Sequence, residues 1–445
     1  MQTLIKNIGT LVVDQHRQSC LCGSDMSRTD TIGDAWLLVE DGRIKDFGSS
    51  ARPHPQPLSA LHVVDAEGGM VLPSFCDSHT HLVYAESRED EFVDKIRGLS
   101  YAEIARRGGG ILNSADRLHE LSEDELYQRA MVRIGEIVSK GTGAVEIKSG
   151  YGLNTEDELK MLRVIQRIKQ TAPLKVMATF LGAHAVGRAY AGRQNDYVDL
   201  VVNEMIPEVG RLKLADFIDV FCDEGFFTPE ETSRMLEAGA KWGMRPKIHG
   251  QELADSGGVE VAVAHHALSV DHLESMTERD IALLRAPLGR ARPRVACYRR
   301  DARRTLARPE RSTINPQPST IPTALPGTSF FLNMPFAPAR RIIDAGLPLA
   351  LASDYNPGST PSGDMKFVVS LACIKMGLLP AEAFNAATLN SAAAMGLSHD
   401  YGSIARGKVA NFFITQPMKS LSFLPYAYTT PIIKQVFLNG VGVER

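Results

Sequence analysis

Two histidines separated by one residue open the chemistry of this chain. In Val71-Leu-Pro-Ser-Phe-Cys-Asp-Ser-His79-Thr-His81 they close an apolar, strand-like run. Residues two apart on a strand point to the same side, so His79 and His81 can reach one ion together. Imidazole nitrogen suits zinc, iron and similar metals. A His-x-His pair also occurs in ordinary cores and on surfaces, so the pair alone marks only a candidate metal site. Three later run ends supply what such a site still needs: Lys247-Ile-His249-Gly-Gln-Glu252, Ser269-Val-Asp-His272-Leu-Glu and Leu347-Pro-Leu-Ala-Leu-Ala-Ser-Asp354. An aspartate closing a run as apolar as the last is costly to bury unless it is ion-paired or metal-bound.

The elements that must position these groups read as a parallel α/β architecture. Short apolar runs recur at 143–148, 175–180, 217–221, 246–249, 269–272 and 347–354, and amphipathic stretches such as 156–170 and 229–242 lie between several of them. Strand–helix alternation over so long a span predicts a (β/α)8 TIM-like barrel, which keeps its chemistry where the strands stop. The chain ends differ. Residues 1–70 carry strands at 35–39 and 43–47 around the turn Glu40-Asp-Gly42, and residues 401–445 carry strands at 407–415 and 432–438. The expected organisation is therefore a barrel over 71–400 and a small β-sandwich built from 1–70 and 401–445. The alternative is two unrelated extensions.

A chain of 445 residues has room for both units, since such a barrel uses roughly 250 residues. With 44% hydrophobic and 23% charged residues it is an ordinary globular composition, and a formal net charge of -3 gives no reason to invoke nucleic acid or a membrane as partner. The start of the chain lacks the features of a secretory signal, and six scattered cysteines suit a reducing compartment, so a cytoplasmic enzyme of a small molecule is expected. Cys20 and Cys22 have no second pair at zinc-site spacing and read as part of a mobile surface loop. Residues 285–320 hold ten arginines and several prolines with little apolar periodicity. That stretch reads as a disordered or loosely packed insertion, with a basic binding patch as the alternative.

The ordered set His79, His81, His249, His272 and Asp354 resembles the amidohydrolase superfamily. Longer strings resemble its imidazolonepropionase family: His79-Thr-His-Leu-Val-Tyr-Ala-Glu-Ser-Arg88, Arg107-Gly-Gly-Gly-Ile111, Glu146-Ile-Lys-Ser-Gly-Tyr-Gly-Leu153, Thr179-Phe-Leu-Gly-Ala-His184 and Ser353-Asp-Tyr-Asn-Pro-Gly-Ser359. The resemblance covers nearly the whole chain except the arginine-rich stretch. It implies hydrolytic opening of 4-imidazolone-5-propanoate to N-formimidoyl-L-glutamate in histidine degradation. It further implies one Zn2+ or Fe3+ per chain, held by His79, His81, His249 and Asp354, with Glu252, His272 and Asp354 managing protons. Substrate contacts carried over by motif are Arg88 for the propionate, Tyr151 and His184 for the ring, and Glu252, Asn356, Gly358 and Ser359. The family also suggests a homodimer.

Lys148 ends a strand-like run where some amidohydrolases carboxylate a lysine to bridge two metals. The resemblance is to a mononuclear site, so Lys148 is expected to serve a structural or hydrogen-bonding role. Two departures stand out. Ser74 occupies a position where the family usually has glycine, and Pro322 lies inside the strand expected just before Leu325, where a missing N–H threatens the pairing. Rival readings are another mononuclear amidohydrolase, such as a guanine or cytosine deaminase, and a catalytically dead barrel acting as an assembly protein.

Overall fold

The computed structural model describes residues 2–51, 61–99, 103, 109–286 and 320–443. Five strands open the chain: β1 (Gln2–Val13), β2 (Asp30–Glu40), β3 (Arg43–Ser49), β4 (Leu61–Asp65) and β5 (Met70–Pro73). The next nine are β6 (Phe75–Thr80), β7 (Thr142–Lys148), β8 (Lys175–Ala183), β9 (Phe217–Cys222), β10 (Arg245–Pro246), β11 (Ile248–Gly250), β12 (Ser269–His272), β13 (Ile321–Ala324) and β14 (Ala350–Leu351). Three more finish it: β15 (Phe412–Thr415), β16 (Ile433–Leu438) and β17 (Val441–Gly442).

Strands β6 to β14 form one parallel sheet in chain order, with β10 and β11 two pieces of a single stave broken at Lys247. The sheet closes on itself: Thr80 bridges Tyr355 in parallel, the Asp354 N–H donates to His79 O, and the His81 N–H donates to Tyr355 O. Eight staves therefore make a barrel. β6, β7, β9, β12 and β13 are buried at every position, which suits barrel strands covered by helices outside and by packed side chains within. The connecting helices start on local signals. Asn154 caps Thr155–Thr171 by accepting from the Asp157 N–H, and Thr228 with Glu231 forms a capping box before Pro229–Ala240.

The remaining strands form a second sheet, β17-β16-β15-β5-β1-β2-β3 with β4 beside β1, so both chain ends meet in it. Its core is Ile5, Ile8, Leu11, Leu37, Phe412 and Phe437 among others. The chain passes from this sheet to the barrel at Ser74, whose N–H donates to Asn411 O. A Cβ on Gly143 would lie 2.2 Å from Ser74 Oγ, so the missing side chain at 143 is what admits the serine.

Three sequence expectations meet corrections or refinements. Cys20 does not belong to a mobile surface loop: it is buried beside Ile321, Ala350 and Ala394, and its thiol reaches Asn390 Oδ1 at 3.4 Å. Small alanines leave room there for a sulfur that behaves as a hydrophobe. Pro322 does not break β13. Ile321 donates to Leu268 O on the β12 side and Ala324 accepts from Ala352 on the other. Alternation then points the proline nitrogen toward β14, whose pairing begins only at Thr323. The apolar run 347–354 is hydrogen-bonded as strand only over Ala350–Leu351, its other residues being buried in irregular backbone. The arginine-rich stretch lies, over 287–319, outside the described residues, while β13 pairs with β12 at all four of its positions.

Candidate metal centre and active site

The strand ends converge on a cavity of about 600 Å³, lined by His81, His249, Glu252, His272 and Asp354. His79 lies beside it, fully buried. His79, His81 and His249 offer ring nitrogens all within 4.8 Å of one another. Asp354 Oδ1 stands 3.7 Å from His79 Nε2 and 3.5 Å from His81 Nε2. Those gaps exceed hydrogen bonds, but they match the roughly 3.4 Å between two donors sharing a tetrahedral ion with bonds of about 2.1 Å. The Nε2 atoms of His79 and His249 are buried without a hydrogen-bond partner among the described residues. Burial, with Lys148 and His249 nearby, holds His79 well below the usual imidazole range, and burial with His184 does the same to His81. Neutral imidazoles with unused lone pairs are the form a metal takes, so the donor set fits one ion.

Beneath the histidines lies a fully buried layer of charge. Asp271 Oδ2 is 2.7 Å from His79 Nδ1, and Asp219 Oδ2 is 2.9 Å from His249 Nδ1. Asp271 thus orients the far nitrogen of the His79 ring by a hydrogen bond. Asp219 stands at ion-pair distance behind His249, whose Nδ1 makes no hydrogen bond among the described residues. Lys148 Nζ donates to Glu146 at 2.6 Å and to Asp219 at 2.7 Å, and Lys247 Nζ donates to Ser78 O at 2.9 Å and to Glu146. Burial opposes the Lys148 charge, but the Asp219, Glu146 and Asp271 carboxylates outweigh it and raise its pKa. Lys148 therefore makes the ion-pairing contacts of a hydrogen-bonding lysine, its Nζ shared between two buried carboxylates. Burial works against the Asp219 charge too, and His249 and Lys148 overcome it, leaving that group well below the carboxylate range.

The proton-handling residues flank this centre. His272 and Leu273 leave β12 with φ of 86° and 75°, and Asp354 has φ 56°, so strained backbone gathers where the strands end. His272 Nδ1 lies 3.6 Å from Glu252 Oε2 and 3.7 Å from Glu274 Oε2. Burial, then Glu274 and Asp354, pushes the Glu252 carboxyl well up, and burial pushes Glu274 to about 8. Asp354 is also raised by burial, against a 2.6 Å hydrogen bond from Thr328 Oγ1.

On the opposite wall, Arg88 ends the loop after β6 at the start of the helix Glu89–Ile96. Its Nε and Nη1 are buried without hydrogen-bond partners among the described residues, the nearest carboxylate being Glu91 at 3.4 Å from Nε. Gly358 makes this possible: a Cβ there would sit 1.2 Å from Arg88 Nη2. Tyr151 and His184 stand over His81, with ring centroids 5.8 and 5.1 Å away. Burial, then His249, lowers His184 to about 3. Asn356 is spent on its own loop, its Oδ1 accepting from the Gly358 and Ser359 N–H groups and its Nδ2 donating to Asp354 O. Ser359 Oγ reaches Asp354 Oδ2 at 3.2 Å.

Sequence reasoning left out two sets of residues that the fold adds. Asp219 and Asp271 had a signal, a carboxylate inside or closing an otherwise apolar strand. The cavity mouth is apolar, with Phe92, Ile96, Phe331 and Met334 on its wall. Phe92 and Ile96 share one helix face by their spacing, a cue that reads equally as core.

Comparison with known proteins agrees with this geometry. Residues 70–443 match the model of the Amidohydrolase family. The fold is shared with solved structures, among them E. coli guanine deaminase (TM-score 0.72, 13% identity, 100% of this chain and 99% of that one). The 5-methylcytosine deaminase from Klebsiella pneumoniae gives a TM-score of 0.69 at 16% identity, over 100% and 97% of the two chains. The chain belongs to the amidohydrolase family. Much higher identity narrows this. It is 48% identical to the imidazolonepropionase of Christiangramia forsetii over 99% of both chains, and 42% identical to that of Geobacillus kaustophilus over 87% of this chain and 85% of the relative. Within the amidohydrolases, it belongs with the imidazolonepropionases.

Proposed function

We propose that this protein hydrolyses 4-imidazolone-5-propanoate to N-formimidoyl-L-glutamate, breaking a C–N bond of a cyclic amide in histidine degradation. The observation that carries the reading is the buried guanidinium of Arg88, whose Nε and Nη1 have no hydrogen-bond partner among the described residues and which lines the same cavity as the histidine cluster. A site that prepares for both a metal and a carboxylate calls for a ring substrate with an anionic tail. The deaminase neighbours share the fold only.

His79, His81, His249 and Asp354 would hold one zinc or iron ion. Once bound, such an ion acidifies water toward neutral pH and so provides a nucleophile. Arg88 takes the propionate through two parallel N–H donors, which fixes the ring at one end. Tyr151 and His184 flank the ring, and Glu252 hydrogen-bonds it. Gly358 and Ser359 shape the wall behind the tail, with Asn356 holding their loop. His272 orients the attacking water or accepts its proton. As the carbonyl C–N bond breaks, Asp354 passes a proton to the departing nitrogen. The water has then added one oxygen and one hydrogen to the new carboxyl and one hydrogen to the nitrogen. Membership of the family supports a cytoplasmic, homodimeric enzyme acting on a free small molecule.

The test is direct. Purified protein incubated with 4-imidazolone-5-propanoate should consume its ultraviolet absorbance and release N-formimidoyl-L-glutamate, with close to one zinc or iron per chain on metal analysis. Metal-loaded protein that leaves the absorbance unchanged would overturn the reading.

A further inference from the structure

We propose that Glu274 is a positioning residue: its carboxyl, not that of Glu252, fixes the His272 ring and so frees Glu252 for the substrate. The effect on turnover rests on the hydrolase reading above. The contact itself does not.

His272 Nδ1 is buried and has no hydrogen-bond partner among the described residues, yet two carboxylate oxygens stand 3.6 and 3.7 Å away. One ring nitrogen makes one hydrogen bond, so the two carboxyls compete for it. Their surroundings differ. The Glu252 side chain is 12% exposed and lines the cavity, and no hydrogen bond to its carboxyl is formed among the described residues. The Glu274 side chain is 1% exposed, is not on the cavity wall, and is tethered through Oε1 by Ser329 Oγ at 2.9 Å. Ser329 is itself buried on the helix Pro326–Leu332 that follows β13.

The backbone explains how Glu274 comes to be there. With φ of 86° at His272 and 75° at Leu273, the chain leaves β12 in left-handed conformations and turns Glu274 back beside the ring. Side chains with that φ are disfavoured, so the local strain is spent on this juxtaposition. Glu274 Oε2 is the second buried atom left without a partner. A closure of less than 1 Å joins it to Nδ1 and satisfies both, since a bond at roughly 3 Å is then made. With Nδ1 committed, only Nε2 of His272 remains for the cavity. Glu252, untethered at its carboxyl, keeps the freedom to follow the substrate. A tethered carboxyl holding an imidazole from behind is a general arrangement for fixing tautomer and ring plane.

The experiment uses the zinc-loaded full chain with 15N-labelled histidine, the variants Glu274→Leu, Glu274→Gln and Glu252→Gln, and steady-state kinetics. Glu274→Leu should shift the His272 Nδ1 resonance and lower kcat about 10- to 100-fold, with KM and metal content nearly unchanged. Glu274→Gln, still able to bond the ring, should restore kcat to within about threefold. Glu252→Gln should leave the His272 resonance in place and raise KM. The proposal is overturned if Glu274→Leu keeps both the resonance and kcat, or if only Glu252→Gln moves the resonance. Should Glu274→Leu fail to fold, Ser329→Ala cuts the tether instead and must move the same resonance; an unmoved signal overturns the proposal. Wild-type protein inactive on 4-imidazolone-5-propanoate would count against the proposed reaction, while the resonance still decides the role of Glu274.

Discussion

At the floor of the cavity buried charges are hydrogen-bonded to their opposites within the protein; on its wall, among the described residues, Arg88 keeps two nitrogens without a hydrogen bond. Asp219 and Asp271 face the ammonium groups of Lys148 and Lys247 and stand behind two histidines, all buried and linked across five staves. Arg88, by contrast, is carried by a loop and helix start. Its neighbour Glu91 accepts from the Gly110 N–H and Asn113 Nδ2 through Oε1 and holds Oε2 3.4 Å from Arg88 Nε, where no hydrogen bond is made. A buried cation with donors left unsatisfied costs several kcal/mol, so its retention beside a metal-type donor cluster points to a ligand that completes it. The floor is ion-paired and prepares an ion; the wall keeps unbonded donors and prepares for an anion.

That contrast breaks if losses on the two sides have the same signature. The largest effect should come from His249→Ala, which removes a ligand: metal should be lost and kcat/KM should fall well beyond the roughly 100-fold typical of outer partners. Metal analysis beside kinetics checks it. Next, Arg88→Ala should raise KM about 100-fold with metal content unchanged, the size expected of a charge-assisted hydrogen-bonded contact. Gly358→Ala should imitate it, because the new Cβ takes the place of Arg88 Nη2. Combining the two changes should add little to either alone. An Arg88→Ala protein that loses its metal would erase the distinction between wall and floor.

Lys148→Met sharpens the comparison from the other side. It leaves Glu146 and Asp219 buried without their shared ammonium, which should weaken metal binding about 10- to 100-fold through His249. Breaking a buried ion pair from one end should also cost about 3–5 kcal/mol in urea unfolding, while KM changes little. Retained metal affinity would show that the charge layer only supports the fold.

The same division marks what was legible in the sequence. The barrel could be read because apolar runs and amphipathic stretches alternate, and the metal residues because each ends such a run; strand parity alone put His79 and His81 on one side. Pairings across the barrel could not be read. Asp271 meets His79 across 192 positions, and nothing in either local string announces it. Gly358 is legible as a loop glycine, but its purpose is Arg88 in a distant segment, and Asn356 looked free for a ligand until its amide proved to be used within its own loop. Local rules failed where neighbours decided the outcome: Pro322 in a strand with no partner yet on that side, and Cys20 in a niche made by alanines.

The smallest expected change in turnover, Glu274→Gln, carries a pH signature that ties the two regions together. Folded Glu274 keeps its proton up to about 8, whereas the ordinary side chain gives it up near 4.5. Below the lower value both states are protonated and the group costs folding nothing. Between the two, only the folded state holds the proton, so stability falls as pH rises, by up to about 1.4 kcal/mol per unit. Above the higher value the loss stops growing. Glutamine does not titrate, so urea unfolding of wild type and variant in the same metal state should agree near pH 5, and the variant should become the more stable of the two toward pH 8. Parallel stability curves would mean that the folded carboxyl is already ionised at pH 5. Burial would then not dominate at Glu274, and the acidic side of the cavity would resemble its ion-paired floor.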